Sequence, residues 1–373
     1  MQINLWEISE LGNRTAGEFE KGFFINVCIS YNVEEGVYMQ NLFIIGNGFD
    51  VAHKLPTKYA DFKEYLSKRI KINEGIKDID GDYIKITEIP SLPERKKWYG
   101  KGICEEYWQE EKLIYWLVDD VSNSKADMYW SDFETYLSEL NIEKVLKKWG
   151  YTVENAMRMQ ETLGDISGFF FRWINTIDLS KAKKKMNMEK IIRSDKDLVL
   201  TFNYTETLEK IYGVCEHNIC HIHGKREIES EEQKRKDMVS IGKDCTELII
   251  GYEEKLLKIE EFNLLYTDED IRRGVLTATA GLIKDVKQNI FQEKAFFDAV
   301  EKADIQNIYS VGFSYSDVDM PYIRAICEKI KKSGNMKKCV WYFEEFDSVE
   351  HRNEFKKKVT EAGYNGSYAG FKM

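Results

Sequence analysis

Four consecutive apolar residues, Leu42-Phe43-Ile44-Ile45, break into Gly46-Asn47-Gly48 and then into a helical pattern, which predicts a buried strand entering a glycine turn. Pro56-Thr57 opens a helix with Thr57 as its predicted N-cap, and Tyr59, Phe62 and Leu66 recur at helical spacing. From residue 70 to 195 strand signal is sparse and helical faces dominate, such as Trp130, Phe133, Leu137 and Leu140. After 196, short apolar strands alternate with helices. Leu198 to Phe202, Leu248 to Ile250, Ile308 to Phe313 and Cys339 to Phe343 read as strands, and Glu206 to Tyr212 as a helix ended by Gly213. Strands separated by helices predict an α/β fold, an open and mostly parallel sheet of Rossmann-like type covered on both faces. The predicted organisation is a discontinuous α/β domain over 39–69 and 196–373, interrupted by a helical insertion over 70–195 whose tryptophans, Trp173 among them, read as core.

Composition narrows the function classes. A length of 373 residues implies about two domains. With 43% hydrophobic residues and only 4 prolines, the chain is expected to fold throughout. The formal charge of -10, from 64 acidic and 54 basic residues, argues against general nucleic-acid binding, which needs a basic balance. The 7 cysteines are odd in number and never spaced C-x-x-C, so neither a disulfide framework nor a zinc ribbon is expected, and a reducing cytoplasm fits. Apolar runs fall far short of the ~20 residues a membrane helix needs, so no membrane association is expected.

Residues 1–38 carry no secretory pattern. Glu34-Glu35-Gly36 is encoded by GAR-GAR-GGN, which contains the ribosome-binding string AGGAGG when both glutamates use GAG, a short distance upstream of the Met39 codon. Two readings stand: an untranslated leader carried into the chain, with the native start at Met39, or a native N-terminal extension.

In an open parallel sheet, ligands bind beyond the carboxyl ends of the strands. That rule gathers three stretches into one candidate site. Gly46, Asn47, Gly48, Phe49 and Asp50 follow the first strand; glycines there let backbone approach an anion, and N–H groups at a helix start point at it. Val51 stands where the third glycine of a dinucleotide fingerprint belongs, so an ordinary strand-to-helix turn is the competing reading. Thr201 and Asn203 end the second strand. The Asn203 amide can donate and accept at once, which suits a ribose hydroxyl or a water, and Thr205 is a plausible N-cap of the next helix. Gly312, Ser314 and Asp317 follow the later strand, with Asp319 placed to cap the helix at Met320-Pro321. Strand alternation puts His221 and His223 on one face, as a catalytic base or as metal ligands. Cys215, His217 and Cys220 lie nearby, but their spacing matches no standard zinc module, and no metal is expected.

Taken together, NLFIIGNGFDVAHKLPTKYADF, WSDFETYL at 130 to 137, LVLTFNYTETLE at 198 to 209, HIHGK at 221 to 225, IIGYEE at 249 to 254 and VGFSYSDVD at 311 to 319 resemble the AbiH family of bacterial abortive-infection proteins acting against phage. A more distant likeness is to the sirtuins and their defence-associated NAD-hydrolysing relatives. Their G-A-G-I-S and I-P elements fall on Gly46 to Asp50 and Leu55-Pro56, their T-x-N-x-D on Thr201, Asn203 and Thr205, their H-G on His223-Gly224 and their G-x-S on Gly312 and Ser314. This likeness implies a glycine turn at the pyrophosphate of NAD, Asn203 and His223 as catalytic residues flanking the nicotinamide ribose, and Gly312 with Ser314 at the adenosine end. Asp50 replaces a serine, Thr205 replaces an aspartate and the four-cysteine zinc module is missing, so protein deacylation is not implied.

The expectation is an antiphage effector that hydrolyses NAD to nicotinamide and ADP-ribose, with NAD as substrate, a phage-derived trigger and a homo-oligomeric assembly. The alternative is a nucleotide-binding sensor that activates a partner without chemistry of its own. A nuclease ranks third, because the acidic residues near the glycine turn lack a metal-binding partner set.

Overall fold

The computed structural model describes residues 39–72, 76–77, 83–84, 166, 168–226, 252–253, 283–345 and 348–373. Six strands form one all-parallel sheet: β1 (Met39–Ile45), β2 (Leu198–Thr201), β3 (Ile219–His221), β4 (Asp304–Val311), β5 (Val340–Glu344) and β6 (Ser367–Phe371). Their spatial order is β6-β5-β4-β1-β2-β3. The chain grows from β1 in one direction to β3, then returns to the other side of β1 and grows outward to β6. This is the doubly wound order, and the reversal falls between β1 and β4.

The register explains why β1 reads as an unbroken apolar run. Leu42 pairs with Leu198 on one side and Ile308 on the other, and Ile45 with Thr201 and Val311. With both faces covered, Leu42 to Ile45 have no solvent-facing side, and the one buried polar residue of the strand, Asn41, bonds to Asp197 and Asn307. Leu42 and Ile44 join Leu200, Ile308, Phe297, Ile323 and Ile326 in one core, whereas Phe43 and Ile45 join Val199, Met188, Leu208 and Tyr212 in another. The period-two alternation of the strand thus feeds two layers. The edge strand β6 is half exposed, as its Ser-Tyr-Ala-Gly-Phe composition implies.

Helices α1 (Asn47–Ala52) and α2 (Tyr59–Ile72) follow β1, and α3 (Met186–Ile191) precedes β2. A π-helical turn, Leu208–Tyr212, and a 3-10 turn, Glu216–Asn218, connect β2 to β3; Gly213 closes the π turn at φ 70°. Then come α4 (Val286–Gln292), α5 (Lys294–Lys302), α6 (Met320–Lys332) and α7 (Val349–Glu361). Helix α6 buries Met320, Ile323, Cys327 and Ile330 as one stripe, with Pro321 in its first turn where a missing N–H does no harm. Two short pairings lie apart from the main sheet, Ile76–Lys77 with Tyr83–Ile84 and Tyr252–Glu253 with Ile283–Lys284.

Most of the predicted insertion over 70–195, and all of residues 1–38, lie outside the described residues, as does the predicted strand at Leu248 to Ile250. The described part of the insertion is helical at 168–174 and at α3. Trp173 in it is buried against Phe62 of α2 and Phe170. Helix α2 starts at Tyr59, two residues past the predicted cap Thr57: Asp61 accepts the Lys58 N–H at 2.8 Å, and Thr57 is buried.

Candidate functional site

The turn after β1 closes onto the end of β4. Gly46 donates its N–H to Val311 O at 3.0 Å and Gly48 to Gly312 O at 2.9 Å. Gly312 has φ 59°, and a Cβ there would lie 2.1 Å from the Phe49 nitrogen; one on Gly46 would lie 2.4 Å from Gly312 O. These glycines therefore let two backbones meet at the switch point, and two of the turn's amides are spent on that contact. Phe49 is buried against His53 and Tyr212. Asn47 is half-buried, and Gly48 and Ser314 are exposed. Asp317 is exposed and turned to Lys358 at 3.0 Å, away from the other predicted residues.

Asp50, in the first turn of α1, is buried beneath the loop that follows β2. Thr205 donates to its Oδ2 at 2.5 Å and Thr207 to its Oδ1 at 2.9 Å, and the two hydroxyls lie 2.9 Å apart. Three contacts among three groups need three protons for a closed ring. The protonated acid supplies the third, whereas the carboxylate leaves one contact without a proton. Burial pushes the Asp50 carboxyl up to about 6, opposed by Thr205, Thr207, the Arg226 charge and the nearby Asn203 amide. Thr205 is thus not the helix cap its position predicts; its hydroxyl serves Asp50, and the following turn is π-helical from Leu208 with no side-chain cap.

Asn203 is held firmly by its backbone and loosely by its side chain. Its N–H donates to Thr201 Oγ1 at 3.1 Å, and its carbonyl lies 2.9 Å from His221 Nδ1. Its buried Nδ2 and Oδ1 reach no hydrogen-bond partner among the described residues. Phe202 beside it stacks on Phe313 from the end of β4, with centroids 4.7 Å apart, so the β2 and β4 ends share one apolar floor.

His223 lies in the turn past β3, wedged between Phe202 and Tyr322 of α6, with Tyr204 also close. Its Nε2 is buried without a hydrogen-bond partner among the described residues, and the nearest carboxylate oxygen, Asp319 Oδ1, is 3.6 Å away. Burial, aided by the Lys284 charge, holds this imidazole well below the usual histidine range, so the resting ring is neutral. Asp319 occupies the N-cap position of α6 as predicted but makes no cap bond with its side chain.

The two histidines do not share a face. His221 meets Glu209 of the π turn, whose Leu208 and Tyr212 belong to one core, whereas His223 meets Tyr322, which belongs to the other. Strand alternation stops at His221, where β3 ends.

Several supporting residues carry no local sequence signal. Arg226 donates from Nε and Nη2 to the two Glu206 oxygens at 2.7 and 3.0 Å, and from Nη1 to Ile174 O and Ile177 O at 2.8 and 2.5 Å. Its own N–H donates to Tyr204 O at 2.8 Å. This buried pair ties the end of the 168–174 helical segment to the loop carrying Asn203, an arrangement only long-range contacts could reveal. His53 donates from Nδ1 to Phe49 O at 2.7 Å, which leaves Nε2 to accept from Tyr212 Oη at 2.7 Å; Tyr212 in turn accepts the Lys185 N–H. A cleft of about 460 Å³ opens beside Glu206, Arg226, Asn175 and Lys210.

No curated protein and no solved structure matches the chain. The model of one family, bacteriophage abortive infection AbiH, matches residues 42–343, from within β1 to within β5 and across every stretch that builds the site. The chain belongs to the AbiH family.

Proposed function

We propose that Asn203 and His223, at the carboxyl edge of the sheet, bind NAD and hydrolyse its bond between nicotinamide and ribose. Family membership implies a role in abortive infection by phage, and NAD loss is a chemistry that would halt an infected cell. One observation supports the reading above the rest: Asn203 and His223, both buried at the carboxyl edge of the sheet, hold polar atoms that nothing described satisfies. Buried groups of this kind are rare, because each forfeits about 1–3 kcal/mol of solvation without return. A ligand that bonds to them removes that penalty.

In the proposed reaction the Asn203 amide holds a ribose hydroxyl and the attacking water, donating to one and accepting from the other. As the C–N bond breaks, positive charge develops on the ribose ring and nicotinamide leaves as a neutral amide. Water oxygen bonds to the ribose carbon and its proton passes to neutral His223 Nε2. Asp319, 3.6 Å away, stabilises the imidazolium that forms. Asn47 and Ser314 are the accessible polar side chains proposed to meet the pyrophosphate, since the Gly46 and Gly48 amides are engaged with β4.

The test is nicotinamide release from NAD by the purified chain, with and without lysate of phage-infected cells as trigger. Turnover that falls by ~100-fold or more in Asn203→Ala is expected, the size of a lost preorganised hydrogen-bonding group in a water-excluded site. Calorimetric NAD binding without turnover under either condition would favour the sensor reading. Neither binding nor turnover, with phage protection retained in cells, would remove NAD altogether.

A further inference from the structure

His221, the first histidine of the H-I-H-G-K stretch, takes no part in the reaction above, yet it is better connected than either catalytic candidate. Its Nδ1 lies 2.9 Å from Asn203 O and its Nε2 3.0 Å from Glu209 Oε1. Both neighbours are acceptors, because a carbonyl has no proton to give and a glutamate carboxyl is ionised at neutral pH. A neutral ring has one N–H and could serve only one of them. The ring that serves both carries a proton on each nitrogen.

Around this ring the charges are paired. Lys225 Nζ lies 3.4 Å from Glu209 Oε1 and also contacts Glu216. With Thr201 Oγ1 accepting the Asn203 N–H, the peptide units on both sides of Asn203 are fixed by side chains, while its side-chain amide, near Asp50, makes no hydrogen bond among the described residues. We propose that His221 is the positioning residue of the site, a doubly protonated imidazole, anchored by Glu209, that clamps the Asn203 carbonyl and so aims the Asn203 amide at the ligand. The proposal rests on the reading that Asn203 contacts NAD. The physical reason for such a clamp is that a displacement of about 1 Å in an orienting group can lower a rate ~100-fold.

The experiment compares His221→Ala with His221→Asn, whose side-chain NH₂ can reach the place of Nδ1–H without the link to Glu209. For NAD turnover, His221→Ala is expected to lower kcat by ~10–100-fold with a smaller change in KM, and His221→Asn to restore most of it. Nitrogen NMR of histidine-labelled wild-type protein should show two protonated ring nitrogens on His221. The Asn203 side-chain amide signal, assigned by its loss in Asn203→Ala, should shift in His221→Ala and return in His221→Asn. An unchanged kcat in His221→Ala, a bare ring nitrogen, or an Asn203 signal indifferent to His221 would each overturn the proposal. If the wild-type chain neither binds nor turns over NAD, the functional reading fails by itself, and the NMR signals still decide the clamp. Should His221→Ala not fold, Glu209→Gln decides: it keeps the ring and removes its anchor, and an Asn203 signal that stays put would overturn the clamp.

Discussion

The two halves of the sheet treat buried polar groups in opposite ways. In the half built from β4, β5 and β6, Trp341 Nε1 donates to Ser310 Oγ at 2.7 Å, Tyr315 Oη contacts the same Ser310, and Tyr364 Oη donates to Cys339 O at 2.7 Å. These buried hydroxyls and the indole find partners within the fold, and aromatic packing fills the space around them. In the half built from β1, β2 and β3, Asn203 and His223 are as deeply buried but have side-chain atoms that no described residue satisfies. Polar satisfaction in the first half gives rigidity. The atoms left over at Asn203 and His223 in the second give it a capacity to bind that the first does not show.

The sharpest way to break this contrast is to truncate the satisfied half. Trp341→Ala removes a fully buried indole together with its hydrogen bonds, and unfolding by urea should show a loss of about 3–5 kcal/mol. A loss under about 1 kcal/mol would mean that this half is not the rigid one.

Next in size is a pH effect centred on Asp50. Its folded-state carboxyl is raised from 3.8 to about 6, so between these values the folded chain holds a proton that the unfolded chain has released. Stability contributed by this group is therefore lost as pH rises from about 4 to 6, by about 3 kcal/mol in total, and is level above that. Asp50→Asn, which closes the same ring with Thr205 and Thr207, should flatten this part of the stability curve. His223 acts in the opposite sense, since its lowered value makes stability fall as pH drops below 6.5. The two contributions overlap, so the measurement is the difference between each single variant and the parent across pH 4 to 7.

The smallest expected effect is the most specific. Asn203→Leu replaces an amide that makes no hydrogen bond among the described residues with an apolar side chain of similar size, and unfolding free energy should stay unchanged or rise by about 1 kcal/mol. A loss of several kcal/mol would show that the amide belongs to the structure after all.

Much of the framework could be read directly from the chain. The apolar runs of β1 and β2 announce central strands, the Met320 to Ile330 stripe announces a core helix, and the glycine turn, Asn203 and His223 follow from looking past strand ends. Other assignments failed because a local rule met a tertiary competitor. Thr205 has the sequence context of a cap, but a buried carboxylate lies closer to its hydroxyl than any helix N–H. His221 and His223 obey strand alternation on paper, yet the strand ends between them. Asp319 holds the cap position while its side chain faces His223.

The order of apolar and polar residues by itself determined the class of fold and the central strands, and so the carboxyl edge at which such sheets bind ligands, because burial and secondary-structure period are short-range properties. Only the tertiary structure decided that the glycines meet β4 rather than open space, that Arg226 and Glu206 support the Asn203 loop, and that His221 and His223 serve different faces. Those outcomes depend on the order in which the strands assemble, with β4 returning beside β1, and hydrogen-bond partners drawn from opposite ends of a chain leave no trace in local spacing.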